Sequence, residues 1–220
     1  MDSIQLITPP ATEPLSIGWV KTRLRIPDSN DDLDLLEMIK AAREECEKST
    51  SRALITQTWK ITLGHFPFLH FHDQVFSDAN HWNHRYRSHH GHHPYAIHLP
   101  KSPVNTVSVQ YLDTDGVLQT FDSSQYVFMH DDLDAWIEPA ANCYWPITLA
   151  QSDAVRITID CGYGDDMSKI PSILKQAMLL LVGHWNEHRE EWILTQARAV
   201  DVQIPFGALR AFRSMSIKRF

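Results

Sequence analysis

Hydrophobic positions along this chain recur at two periods, helical near both ends and alternating in the middle. Residues 1–14 hold three prolines and little periodicity, and read as an extended arm. Leu15, Trp19 or Val20, and Leu24 then recur near helical spacing, with Ser16 placed to cap a short helix that Pro27 ends. Residues 31–52 give the clearest amphipathic pattern, with Leu35, Leu36, Ile39, Ala42, Cys46 and Ser49 on one stripe. Asp31, Asp32 and Asp34 sit in its first turn and Lys48 and Arg52 near its end, where the helix dipole favours each sign. Glu37, Lys40, Glu44 and Glu47 are assigned to the solvent side.

From Ile55 the period becomes two, and Ile55, Gln57, Trp59, Ile61 and Leu63 read as a strand. Further alternating runs lie at 104–112, 117–121, 125–129, 134–138 and 154–161. Asp113, Asp115 and Gly116 supply the turn between the first two. After Gly162-Tyr163-Gly164 the helical period returns, with Pro171 at a helix start and Ile173, Leu174, Ala177, Leu180, Leu181, His184, Trp185 and His188 in phase. Ala177 to Gly183 is apolar on nearly every side, so this helix needs cover on more than one face, from its own domain or from a neighbouring subunit.

The fold class is therefore α+β. A helical core, made of two N-terminal helices and one long C-terminal helix, carries an inserted antiparallel β module and a C-terminal arm. The expected division is residues 1–54 for the N-terminal arm and helices, 55–163 for the β-rich module with a histidine-rich loop at 65–98, 164–195 for the C-terminal helix, and 196–220 for a docking arm.

Composition is that of a globular protein, 43% hydrophobic and 21% charged. No apolar run of about 18 residues is present, which excludes a membrane helix, and residues 1–25 lack the pattern of a signal peptide. Cys46, Cys143 and Cys161 are too few and too scattered for a disulfide framework. The net charge of −7 disfavours wrapping of DNA by counterion release. The charge is uneven, because residues 192–220 set Arg198, Arg210, Arg213, Lys218 and Arg219 against Asp201 alone. A basic end on an acidic body suggests a partner surface. A solvated, disordered end is the alternative, and removal of residues 204–220 is expected to leave the remaining domain folded.

Residues 65–98 hold ten of the thirteen histidines, among phenylalanines, Trp82, Tyr86 and Tyr95. Histidine ligates transition metals, but the spacing matches no zinc pattern, and a long surface loop is the favoured reading over metal storage or sensing. His184-Trp185-Asn186-Glu187-His188 matches H-x-x-E-H, in which two histidines one turn apart bind a metal and the glutamate acts as base. That pattern needs a third ligand, and the acids downstream are Glu190, Glu191 and Asp201 alone. The match is read as accidental, with His184 on the inner face and Glu187 towards solvent. A metal-dependent hydrolase using His184, Glu187 and His188 is the alternative. Gly162 and Gly164 read as a tight strand-to-helix turn, and Asp131-Asp132 and Asp165-Asp166 as turn and cap residues. No cofactor is implied.

Taken in order, several segments resemble the head–tail connector, or head-completion adaptor, proteins of tailed bacteriophages and related prophages. The first runs from Glu13-Pro14-Leu15-Ser16 through Lys21 and Leu24-Arg25-Ile26 to Asp32 and Thr50-Ser51-Arg52-Ala53-Leu54. The strand Ile55-Thr56-Gln57-Thr58-Trp59 follows directly. Gly162-Tyr163-Gly164-Asp165, Ile170-Pro171, the helix from Ala177 through Leu181-Val182-Gly183-His184-Trp185 to Glu187 and Arg189-Glu190, and Ile204-Pro205-Phe206-Gly207 complete it. Ser51 stands where a glycine is usual, and residues 65–98 read as an insertion.

The resemblance implies a non-enzymatic virion protein at the portal vertex, made in the host cytoplasm. It implies a homo-oligomeric ring, usually dodecameric, that meets the portal protein above and a tail or stopper protein below. DNA passes through its channel without sequence-specific binding. The C-terminal arm is then the part that docks onto the portal or a neighbouring subunit, with Phe206, Leu209, Phe212 and Phe220 as anchors and Arg210, Arg213, Lys218 and Arg219 as charges.

Overall fold

A computed structural model describes residues 3–27, 29–67, 95–131, 134–188 and 204–217. Among them are eight strands and four α-helices. The strands are β1 (Ser3–Thr8), β2 (Gln57–Leu63), β3 (Ile97–His98), β4 (Val104–Leu112), β5 (Leu118–Phe121), β6 (Tyr126–His130), β7 (Ala135–Pro139) and β8 (Val155–Cys161). The helices are α1 (Ile17–Leu24), α2 (Asp32–Thr50), α3 (Ser172–Glu187) and α4 (Phe206–Met215). The fold is thus mixed α and β, and the strand pairs are antiparallel. Two units share the chain: Met1–Pro9, Gln57–Gly162 and Ile217–Phe220 form one, and Pro10–Thr56 with Tyr163–Ser216 form the other.

The first unit holds a five-stranded sheet in the order β1-β2-β8-β4-β5 and a three-stranded sheet in the order β3-β7-β6. Alternation sets the register. In β8, Val155, Ile157, Ile159 and Cys161 are buried while the residues between them are partly exposed, as one covered face requires. Asp113 closes the β4–β5 turn, its carboxylate accepting the N–H groups of Asp115 and Val117, and Gly116 takes the positive φ of 80° that the turn needs. The core ends in an aromatic cluster. Phe66 stacks on Trp145 at 4.7 Å, with Phe121 and Tyr111 around it, and the Trp145 indole N–H donates to the carbonyl of Tyr95. Two expectations change here. Ser3–Thr8 of the extended arm is a strand paired with β2. At the described ends of the histidine-rich stretch, expected as a surface loop, Phe66, Ala96 and Ile97 are buried in the core while His65 is exposed. Residues 68–94 lie outside the described residues.

The helical unit packs α2, α3 and α4 against one another, with α1 against α2. Ser16 caps α1, its hydroxyl accepting the N–H of Trp19, and Lys21 pairs with Asp32 at 2.7 Å. On α2 the buried stripe is Leu35, Met38, Ile39, Ala42, Arg43, Cys46, Glu47 and Thr50. Leu36 is exposed and Ser49 only half-buried, so the stripe is rotated towards Met38. Glu47, assigned to solvent by its charge, is buried. It accepts the N–H of Leu54 at 2.8 Å and a guanidinium N–H of Arg43 at 3.2 Å. Arg43 also reaches Glu13 at 2.8 Å. Burial alone lowers the basicity of that guanidinium, and the acids Glu13, Glu47 and Glu44 more than restore it, so its pKa ends above the ordinary value. Ser51 ends α2 in the left-handed region at φ 58°. That conformation favours glycine, which explains the usual residue there.

On α3 the residues Leu174, Ala177, Met178, Leu179, Leu181, Val182 and Trp185 are buried, and Ile173 and Leu180 are left exposed. Much of the cover this apolar helix needs comes from α2 and α4 within the same unit. Residues 206–215 of the expected arm are therefore a fourth core helix. None of the described helices is long and apolar enough to cross a membrane.

Candidate functional site

Helix α4 carries most of the residues read as docking contacts, and the helical period sorts them into two groups. Ala208, Ala211, Phe212 and Met215 face α2 and α3, with Ala208 and Phe212 fully buried. Phe206, Leu209, Arg210 and Arg213 stand at i, i+3, i+4 and i+7, which is one stripe on the other side. Phe206 is 77% exposed, Arg210 and Arg213 are exposed, and Leu209 is half-buried. Phe212, expected as an anchor, is 1% exposed and is a core side chain. Its six-residue offset from Phe206 turns it about 120° around the helix, off the outer stripe. Lys218, Arg219 and Phe220 lie outside the described residues.

The stripe is built on a fixed base. Pro205 precedes the first turn and its carbonyl accepts the N–H of Leu209 at 3.0 Å. Gly207 faces α3, where a Cβ would stand at van der Waals contact, 3.4 Å from Leu180 Cδ1. At the other end Arg52, itself buried, donates from Nε to the Met215 carbonyl at 2.8 Å and from Nη1 to the Tyr163 hydroxyl at 2.9 Å. A cation at a helix C-terminus meets the orphan carbonyls and the negative end of the dipole. Removing α4 is therefore expected to destabilise the helical unit, because it uncovers the partners of Ala208 and Phe212 and takes the Met215 carbonyl from Arg52. Neither Arg210 nor Arg213 forms an ion pair among the described residues. An exposed phenylalanine beside two unengaged guanidinium groups is a composition found at protein contacts.

Residues that carry the connector resemblance pair with one another inside the helical unit. Lys21 meets Asp32, and Arg52 meets Tyr163. The Tyr163 N–H also donates to the Leu54 carbonyl at 3.3 Å. The Glu13–Arg43–Glu47 cluster leaves one signal in the sequence, the i, i+4 spacing of Arg43 and Glu47.

The H-x-x-E-H residues sit at the end of α3. His184 is half-buried, while Glu187 and His188 are exposed. The two rings lie 4.5 Å apart, and Nδ1 of His188 donates to the His184 carbonyl at 3.1 Å. Among the described residues no group of three His, Cys, Asp or Glu side chains converges as a metal site. Glu190, Glu191 and Asp201 lie outside the described residues. Asp166 caps a short 3-10 turn, and the Ser168 N–H that it accepts holds its carboxyl below the usual range. Gly162 and Gly164 take φ values of 129° and 110°, as the tight turn requires. The Asp131 carboxylate accepts the N–H of Asp134 across the β6–β7 turn.

No family model and no curated protein matches the sequence. Solved structures do share the fold. A chain in the neck of an empty gene transfer agent (GTA) particle, computed with C6 symmetry, is 21% identical, with a TM-score of 0.69 over 99% of this chain and 97% of its own. A chain in the virion of a native GTA particle is 20% identical, with a TM-score of 0.70 over 99% and 96%. A third, in the neck of a native GTA particle computed with C12 symmetry, is 20% identical, with a TM-score of 0.64 over 98% and 97%. The chain thus has the fold of chains found in the neck of gene transfer agent particles, in keeping with its resemblance to head–tail connectors.

Proposed function

We propose that this chain is a structural neck protein of a phage-like particle, a head–tail adaptor without catalytic activity. In this reading it forms a ring at the head–tail junction, beneath the portal, where it lengthens the DNA channel and offers a surface to the next tail component. The observation that carries the proposal is coverage. The match to neck structures takes in at least 98% of this chain and 96% of the others, so both units are shared rather than one common module. Two of those neck structures were computed with C6 and C12 symmetry, which supports a symmetric ring for this chain, dodecameric if it matches its portal. An acidic chain of net charge −7 suits a conduit, since it repels a DNA backbone rather than gripping it.

The contact with the portal or with a neighbouring copy is assigned to the outer stripe of α4, through Phe206, Leu209, Arg210 and Arg213, with Lys218, Arg219 and Phe220 following in sequence. Phe206 supplies the apolar anchor, and the arginines at the rim steer docking more than they strengthen it. The test is Phe206→Asp combined with Arg210→Glu and Arg213→Glu, in cells that assemble the particle. The reading predicts a folded protein by circular dichroism that is depleted from purified particles, which then lack tails. Full occupancy of the neck by the folded triple variant would contradict the assignment.

A further inference from the structure

The five-stranded sheet ends in β1 on one side and β5 on the other. An edge strand turns a row of unpaired N–H and C=O groups outward, and proteins usually blunt it with lysine, proline or a strong bulge. Here β1 reads Ser-Ile-Gln-Leu-Ile-Thr and residues 117–121 read Val-Leu-Gln-Thr-Phe. Neither holds a charge or a proline. The one irregularity in β1 is a register shift between Leu6 and Thr8.

Apolar side chains are exposed at both ends: Leu6 and Ile7 on β1, and Val117 and Leu118 at β5. Ile147 adds to the second group at 72% exposure. Its loop is held beside the β4–β5 hairpin, where the Leu149 N–H donates to the Leu112 carbonyl at 3.1 Å and the Leu149 side chain lies over Gly116. The two ends are thus different, uncharged and partly apolar surfaces at opposite limits of one sheet. A closed ring requires such an arrangement, because a head-to-tail interface joins two unlike patches of each protomer.

We propose that β1 of one copy adds to β5 of the next, so that the five-stranded sheets join edge to edge around the ring. The inference rests on the ring reading above and names the seam that closes it. Strand direction is fixed by the pairings. Each neighbouring pair is antiparallel, so β1, β8 and β5 run one way and β2 and β4 the other. In a ring whose axis runs along the strands, rotation carries β1 beside the neighbour's β5 without reversing it, and the seam is parallel. Main-chain hydrogen bonds along about four residues of β5 supply the affinity, and Leu6, Ile7, Val117, Leu118 and Ile147 lose exposed apolar surface. Five strands at about 4.8 Å set a spacing of about 24 Å between neighbouring copies at the radius of the sheet.

The experiment uses the full chain, in solution and in assembled particles, in a Cys143→Ser background. Gln5→Cys is combined in turn with Leu118→Cys, Gln119→Cys and Thr120→Cys, and the samples are oxidised. The proposal predicts that at least one pair gives a ladder of covalent oligomers, while each single cysteine gives none. Leu6→Lys with Ile7→Lys should leave the circular dichroism spectrum intact and abolish the ring. Three results overturn the seam alone: intact rings from the lysine variant, dimers from Gln5→Cys by itself, which mean β1–β1 pairing, or a link from Gln5→Cys to a different protein. A wild-type chain that forms no ring, alone or in particles, overturns the ring reading and the seam with it.

Discussion

Truncating Phe212 and Phe206 separately distinguishes the core face of α4 from its docking face. Phe212 is 1% exposed among residues of α2 and α3, and Phe206 is 77% exposed on the same ten-residue helix. Phe212→Ala removes a whole ring from a packed interior, where such a change costs about 3–5 kcal/mol, including the cavity left behind. The better helix propensity of alanine returns only about 0.5 kcal/mol. For a chain of this size each kcal/mol moves the midpoint by about 2–4 °C, so the net loss corresponds to a fall of about 5–18 °C in the transition of the helical unit. Phe206→Ala should change stability by less than about 0.5 kcal/mol, as exposed substitutions do, yet lower the occupancy of the chain on its particle. Urea and thermal melts followed by far-UV circular dichroism give the first quantity, and quantitative blotting of purified particles gives the second. A loss below about 1 kcal/mol for Phe212→Ala, or above about 2 kcal/mol for Phe206→Ala, would refute the division of α4 into two faces.

Three further outcomes follow from the helical unit. Glu47→Ala leaves the Leu54 N–H and part of Arg43 without their acceptor in a buried place, and should destabilise by about 2–3 kcal/mol in chemical denaturation. Glu47→Gln should recover part of that loss. Burial, reinforced by the charge of Glu47, pushes the Cys46 thiol up to about 12. At pH 8 it should therefore resist alkylation in the folded protein while the half-buried Cys143 reacts, as peptide mass mapping would show. Gly164→Ala forces a side chain onto φ 110° and against Lys169, and should cost about 1–3 kcal/mol in the same melts.

Much of the fold was legible because its signals are local. The runs at 104–112 and 154–161 alternate in sequence, and they became β4 and β8 within a residue of the expected ends. Ser16, Asp113 and Gly116 declared a cap and a turn by their chemistry, and each performs that role. What escaped depends on distant partners. All residues of β1 except the half-buried Ile4 are exposed, so no alternation marks them, and the strand exists through its pairing with β2, 50 to 59 residues away. Glu47 looks like a solvent residue until Arg43 and the Leu54 N–H satisfy it inside. Phe66 reads as part of a histidine-rich loop, and only the fold brings it onto Trp145. In α4 the exposed basic residues look like those of a solvated arm, although the segment is a packed helix. The helical offset between Phe206 and Phe212 already separated an outer face from an inner one.

The central claim is that this chain is a ring-forming neck component, and cryo-electron microscopy of purified particles with the chain genetically tagged tests it most directly. The account predicts tag density in a closed ring of identical copies at the junction of head and tail, with the outer stripe of α4 against the portal or a neighbouring copy. Particles that assemble with complete necks and contain no copy of the chain would contradict it.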